Sequence, residues 1–585
     1  MKRMMLVCVI ILCLVISAAA AEGENTQSNP LVGIWAEYID YLNPPGYVYT
    51  EFTADGLYVT YHTQEDGSLS VSSIDLYEDR GDAYVILGRT AHDRGMNWVY
   101  TIDGSEMTQT SGSVTRVKTR LNEPPAGYIA LHHGEGYTYT LTPDGDATII
   151  RYSGDSPENG ILVVPAQLDG HTVTAIGATS TGQGAFRNLR VQTIIVPISV
   201  TEILPSAFSG CGASRVELPE SVTHIGRGAF SSAGLSDGIS LPSGITEIEA
   251  NTFANCSFSE ITIPEGVVSI GANAFQSCVW LKDVFLSDGL HTIGDGAFSY
   301  CEVLESIAIP DSVVTIDGNP FHSCPLLTDI GITENNPAFC VVDGVVFNRE
   351  MTRLVCYPAG LPVVHYTIPD GVTVIGEAAF TDYLDWHAPA LEEITIPDSV
   401  TRIESCAFGG CCVDELRIPD SVAWIGVEAF DDSGIRRLIL PAGLQQLEYG
   451  ICMNSPLLES VILPESLETI GENAFLDCTS LDGIILPSGV TEIRSGAFYG
   501  CEKLSQVVLP EGLRTIGVSA FHDCASLREI SLPASIEHID SGVFDIYDSR
   551  THERIIIPGL VITVPVGSYG AEYCREQGIP YEYAE

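Results

Sequence analysis

The chain has 585 residues, with 27 Lys and Arg against 76 Asp and Glu, for a formal net charge of −49. So acidic a surface repels phosphate backbones and anionic lipid, making nucleic acid and membranes poor partners and basic patches on proteins better ones. With 45% hydrophobic and only 18% charged residues the chain is built to fold, yet it is too long for a single compact core.

At the N-terminus Lys2 and Arg3 precede the apolar run 6–16, and the small residues Ser17 to Ala21 follow. A basic start, a short apolar run and a small-residue cleavage site read as a secretory signal peptide over 1–21. An uncleaved anchor helix is the competing reading, but it wants about 20 apolar residues. The expected product is secreted and extracellular, or held at the cell surface by something other than its own anchor. From 30 to 121 the text changes to short Val-, Tyr- and Thr-rich runs separated by turn signals such as Asp55-Gly56 and Asp66-Gly67. Such spacing predicts a small antiparallel β barrel or sandwich. Gly33-Ile34-Trp35 followed by FTADG resembles the GxW opening of small bacterial lipocalin-like domains. That resemblance implies a ligand cavity; a core filled by side chains is the alternative. Residues 122–127 (NEPPAG) read as a linker, and Asp144-Gly145 as the turn of a further hairpin over 137–154.

A repeat then takes over. It is clearest as ILPESLETIGENAFLDCTSLDG at 462–483, followed at 23-residue spacing by ILPSGVTEIRSGAFYGCEKLSQ and VLPEGLRTIGVSAFHDCASLRE. The Phe of I-G-x-x-A-F marks the phase at 186, 208, 230, 253, 275, 298, 321, 380, 408, 430, 475, 498, 521 and 544, with Cys452 in its place once. A fixed period of this size signals a solenoid whose units stack only on their neighbours. Each copy offers two short strands, I-x-I/L-P and V-T-x-I-G, that turn every second residue inward. The glycine ending the second strand is expected to permit a tight turn. One long step, from Phe321 to Phe380, contains residues 335–360, which read as a hairpin protruding from the array. Residues 566–585 read as a cap with a short helix around AEYCREQ.

The pattern LxxIxIPxSVTxIGxxAFxxC, repeated over 128–565, resembles the leucine-rich repeat of BspA-like bacterial secreted and surface proteins, as does the NPxFxVxDGVxF insertion. The resemblance implies a mainly β, right-handed leucine-rich-repeat solenoid of about fifteen 22–23-residue coils behind the small β domain. It also implies adhesion: binding to host extracellular matrix, plasma or cell-surface proteins, or to other bacteria.

Chemistry-bearing clusters are scarce. Nine cysteines fall three residues after the repeat Phe, at 211, 256, 278, 301, 324, 411, 478, 501 and 524. A ladder of disulfides is conceivable between adjacent coils, but small buried thiols suit the phase better. Cys340 and Cys356, flanking the inserted hairpin, are the best disulfide candidates. His132-His133 and Asp385-Trp386-His387 lack metal-ligand spacing, and no zinc-protease or P-loop motif occurs. No enzyme, metal or cofactor is therefore expected.

The middle residue of I-x-I/L-P should point outward. Through the array it is mostly small or polar, but four consecutive coils carry Ile439, Ile462, Ile485 and Val508, with Arg436 and Arg437 at their edge. An apolar stripe on an exposed sheet is a candidate protein-binding site; the competing explanation is that β-branched residues suit strands. The expected function is a protein-binding scaffold or adhesin. The alternative is a small-ligand carrier, with the N-terminal β domain as the binding part and the solenoid as a stalk.

Overall fold

The computed structural model describes residues 131–177, 184–383, 391–548 and 553–584, together with the strand backbones between 33 and 120. The signal-peptide stretch, the linker 122–127 and Asp385-Trp386-His387 lie outside the described residues. Two compact units are present, divided near residue 130.

The first unit is a closed barrel of eight strands: β1 (Gly33–Ile39), β2 (Gly46–Phe52), β3 (Leu57–Thr63), β4 (Leu69–Asp79), β5 (Ala83–Leu87), β6 (Asn97–Asp103), β7 (Glu106–Ser111) and β8 (Val114–Arg120). Every strand pairs antiparallel with the next in sequence. Closure comes from β1 on β8, where Trp35 faces Arg120 and Ala36 faces Thr119. The two turn signals read from the sequence fall in the β2–β3 and β3–β4 connections. Closure removes the edges that so short a sheet would otherwise expose.

The second unit is a solenoid of about 18 turns. It opens with the expected hairpin, Tyr137–Leu141 on Ala147–Tyr152. Each coil then lays down the two predicted strands, and equivalent strands of neighbouring coils pair in parallel. Thus Thr193–Ile195 pairs with Arg215–Glu217 in the first ladder, and Glu492-Ile493 with Thr515-Ile516 in the second. A third array of hydrogen bonds runs along the A-F turns: Phe475 N donates to Ala497 O at 2.8 Å, and Phe498 N to Ala520 O at 2.8 Å. Tyr152 N and Tyr357 N make the same bond, to Ala185 O and Ala379 O. These two tyrosines therefore complete turns that the I-G-x-x-A-F phrase does not mark.

The repeat phenylalanines form stacks inside the solenoid. From Phe186 to Phe321 successive ring centroids are 5.1–5.8 Å apart and nearly parallel. A second stack runs Tyr357–Phe380–Phe408–Phe430, and a third Phe475–Phe498–Phe521–Phe544. Cys452 interrupts the series between Phe430 and Phe475. The backbone reverses on both sides of most rings, where residues two before and two after lie at positive φ: Asn273 and Ser277 (57° and 56°), Asn473 and Asp477 (54° and 57°), Gly496 and Gly500 (63° and 71°). Gly and Asn, with Ser and Asp, recur there because they tolerate the left-handed region best.

The glycine that ends the second strand has a different purpose from the one expected. Gly226, Gly271, Gly294, Gly426 and Gly517 do not adopt positive φ. A Cβ at Gly294 would sit 2.6 Å from Ala272 N, and one at Gly271 2.7 Å from Ala250 N. Glycine is required because consecutive coils touch backbone to backbone at this phase.

The insertion does not protrude. Phe339–Val342 and Val345–Asn348 form the hairpin read from the sequence, but Val345–Asn348 also pairs with Arg353–Cys356, which joins the second ladder beside Val374-Ile375. The second and third strands of this small sheet are buried on both faces. Val345, Phe347, Leu354 and Tyr357 pack in the core that runs on to Ile579. Val346, Val355 and Cys356 pack in the core that begins at Tyr137. The insertion is a septum between two hydrophobic cores.

At the C-terminal end Glu529–Ser531 pairs with Val561–Val564, which pairs in turn with Tyr581–Tyr583. The expected helix spans Tyr569–Gln577. Ser568 caps it by accepting from Ala571 N, Gly578 ends it in the left-handed region (φ 71°), and Tyr573 and Cys574 bury one side.

Candidate functional site

Strand alternation sets the face on which the stripe lies. In Gly483–Ile485 the central Ile484 is 4% exposed and Ile485 is 73% exposed; in Gln506–Val508 the values for Val507 and Val508 are 9% and 53%. Ile462 is also exposed, whereas Ile439 is half-buried. The register aligns them: Arg417, Ile439 and Ile462 are direct partners along one parallel run, and Ile485 and Val508 along the next. The four residues thus come together as two adjacent pairs, with no strand pairing between Ser460–Ile462 and Gly483–Ile485.

Arg436 and Arg437 do not give the stripe a free cationic edge. Arg436 Nη1 lies 2.8 Å from Glu459 Oε1 and its Nε 3.4 Å from Asp414 Oδ1, while Arg437 Nη1 lies 3.5 Å from Glu415 Oε2. Carboxylates on both sides neutralise Arg436, and one of the preceding coil neutralises Arg437. These exposed pairs contribute little stability, but they leave the stripe apolar with an ion-paired border.

The other candidates are structural. None of the fifteen described cysteines forms a disulfide. Cys340 faces Phe347 and Cys356 faces Val346, so the two thiols stand on opposite sides of one intervening strand. Two strand spacings put them about 9–10 Å apart, beyond disulfide reach. Cys340 instead contacts Asn348 O and Met351 Sδ, each at 3.6 Å. The phase cysteines have a purpose that the sequence did not reveal. Cys278, Cys324 and Cys501 each donate a thiol hydrogen to the carbonyl of the ladder residue Phe253, Phe298 or Phe475, at 3.1 Å. Where Cys452 replaces the Phe, Ser455 stands at the cysteine phase and donates to Phe430 O at 2.9 Å. Burial pushes the Cys278 thiol up to about 12 and raises Cys501 well above the ordinary thiol range, which keeps both protonated donors.

His132 stacks on Tyr139, and His133 hydrogen-bonds Thr138 Oγ1. Among the described residues no three His, Cys, Asp or Glu side chains are grouped to hold a metal ion. No helix among them is long and apolar enough to cross a membrane.

The model of the BspA-type leucine-rich repeat region (six copies) matches residues 179–257, 235–340, 386–451 and 445–570, more than half of the chain. The chain belongs to the BspA-type leucine-rich-repeat family. Among solved structures it is similar to a leucine-rich cell surface protein of Faecalibacterium prausnitzii A2-165, at 26% identity and TM-score 0.43, covering 74% of this chain and 97% of that one. It is also similar to a leucine-rich repeat protein of Eubacterium ventriosum, at 24% identity and TM-score 0.46, covering 71% and 94%. The pneumococcal vaccine antigen PcpA aligns at 20% identity and TM-score 0.40, covering 78% and 99%. No curated protein matches. Membership in the BspA-type family accounts for the repeat wording and the stacked coils.

Proposed function

We propose that the chain is a secreted or surface-associated, non-catalytic scaffold that binds other proteins through the outward face of its first strands. The observation that carries this reading is the exposure of Ile462, Ile485 and Val508 at equivalent phases of three consecutive coils. A folded chain gains by burying such a stripe against a partner, since each exposed aliphatic side chain is worth roughly 1.5–3 kcal/mol when fully covered. Partners in keeping with the family resemblance are host extracellular matrix, plasma or cell-surface proteins, or other bacteria. The net charge of −49 favours those with basic surfaces. The test is a panel of immobilised matrix and plasma proteins, host cells and bacterial cells, titrated with the full chain. Saturable binding to at least one supports the proposal; absence of binding to all of them rejects it.

The closed barrel supports a second reading, small-ligand carriage, because eight strands enclose room for side chains or for one small ligand. Trp35 lies on β1 and Trp98 on β6. Carriage predicts that an apolar dye quenches tryptophan emission with one-to-one stoichiometry, and that replacing Ile462 and Ile485 leaves this quenching unchanged.

A further inference from the structure

A second feature of the solenoid lies outside the stripe, at the coil after Phe230, which contributes no strand to the first ladder. In 22-residue coils the inward side chains after the Phe come five and eight residues on, as Ala213 and Val216 after Phe208, or Phe258 and Ile261 after Phe253. In 23-residue coils they come six and nine on, as Leu281 and Val284 after Phe275. The coil after Phe230 mixes the two: Leu235 comes five on and Ile239 nine on. The surplus residue is taken up by Gly238 at φ 85°, with Leu235 itself held at φ 53°. Register is lost in consequence. Ile239–Leu241 belongs to no strand, Arg215–Glu217 pairs only with Thr193–Ile195, and Glu260–Thr262 only with Asp283–Phe285. An added residue that ends pairing in this way is how sheets open next to binding sites.

Over the break lies a groove of about 1020 Å³. Ile239 and Leu241 line it, and Glu217, Glu220, Asp237, Glu260 and Glu265 face it against a single cation, Arg215. Arg215 is already committed to Glu217, Nε to Oε1 at 3.1 Å. Glu220 spans the break by accepting from Ser243 N and Oγ, bonds that hold its carboxyl below the usual range. Among the described residues no cation pairs with Asp237, Glu260 or Glu265. The groove therefore combines uncompensated negative charge, an apolar lining and facing strand edges without neighbours.

We propose that this groove binds an extended segment of a partner protein that alternates basic and apolar side chains. Its lysines or arginines meet Asp237, Glu260 and Glu265, its apolar side chains cover Ile239 and Leu241, and its backbone hydrogen-bonds to the open strand edges. The site is independent of the Ile462–Val508 stripe.

The probe is a fluorescein-labelled ten-residue peptide of alternating Lys and Val, titrated into the full chain in about 0.15 M salt, where charges are screened beyond about 8 Å. Two triple variants remove equal charge: D237N/E260Q/E265Q in the groove, and E302Q/E334Q/E502Q at exposed positions elsewhere. The groove triple is expected to weaken binding about tenfold or more, which corresponds to roughly 1.4 kcal/mol, and the control triple less than about twofold. Deleting Gly238 restores the 22-residue register and should abolish binding. Hydrogen exchange of the complex should slow at Arg215–Glu217 and Glu260–Thr262. Equal weakening by the two triples, or displacement of the peptide by spermine at equal charge, would overturn the proposal, because the peptide would then be sensing only the overall negative charge.

Discussion

Gly294 and Asn473 sit at neighbouring phases of the repeat for opposite reasons. Gly294 has an ordinary backbone but no space for a Cβ, which would meet Ala272 N at 2.6 Å. Asn473 has space but a φ of 54°. Gly294→Ala should therefore cost about 1–3 kcal/mol by forcing two coils apart. Asn473→Ala should cost roughly 1–2 kcal/mol for the left-handed backbone, while Asn473→Gly stays near wild type; urea midpoints measure all three. Asp431 gives a pH prediction. Its carboxyl is pushed up to about 6, first by burial and then by the Glu428 and Asp432 charges, against hydrogen bonds that include one from Asn454 Nδ2. A carboxyl raised in the folded state holds a proton that the unfolded chain has released, so it costs stability above pH 6. Stability should rise as pH falls from 7 through 6, and the gain should level off near 4, where the unfolded carboxyl is protonated too. Asp431→Asn should remove that rise and be more stable than wild type at pH 7.

Among the elements, the insertion separates what was legible from what was not. Its hairpin could be read from Asp343-Gly344 between β-rich runs, and the strands form where expected. Its burial could not, because Val345-Val346-Phe347 reads alike whether one face or both are covered. Only the pairing of Arg353–Cys356 with the second ladder shows that both faces meet core. A protruding hairpin could be removed at little cost. Deletion of 335–360 should instead abolish cooperative folding, measured by circular dichroism on heating, because it exposes both cores at once. The cysteine ladder was legible as a buried phase. Its thiol-to-carbonyl bonds were not, since they depend on where the preceding coil places its Phe carbonyl. The broken register at Gly238 was legible in principle as a mismatch of five and nine, but not by reading outward positions one coil at a time.

At the scale of the whole molecule, the repeat holds its inward residues nearly constant and leaves the outward ones to vary. The family's core can therefore be read from any one copy, while a partner can be sought only across copies. The stacked solenoid followed from periodicity, and its leucine-rich-repeat form from the family resemblance. The apolar stripe followed from alternation, and its exposure agrees, apart from the half-buried Ile439 and the arginines that neighbouring carboxylates neutralise. The central claim is that this face binds rather than merely folds. The most direct test compares the full chain with I462D/I485D, in affinity for whichever partner the panel identifies and in melting temperature. The account predicts at least a roughly tenfold loss of affinity, about 1.4 kcal/mol, with little change in melting temperature, since both side chains already face water. Unchanged affinity, or loss of fold and affinity together, would contradict it.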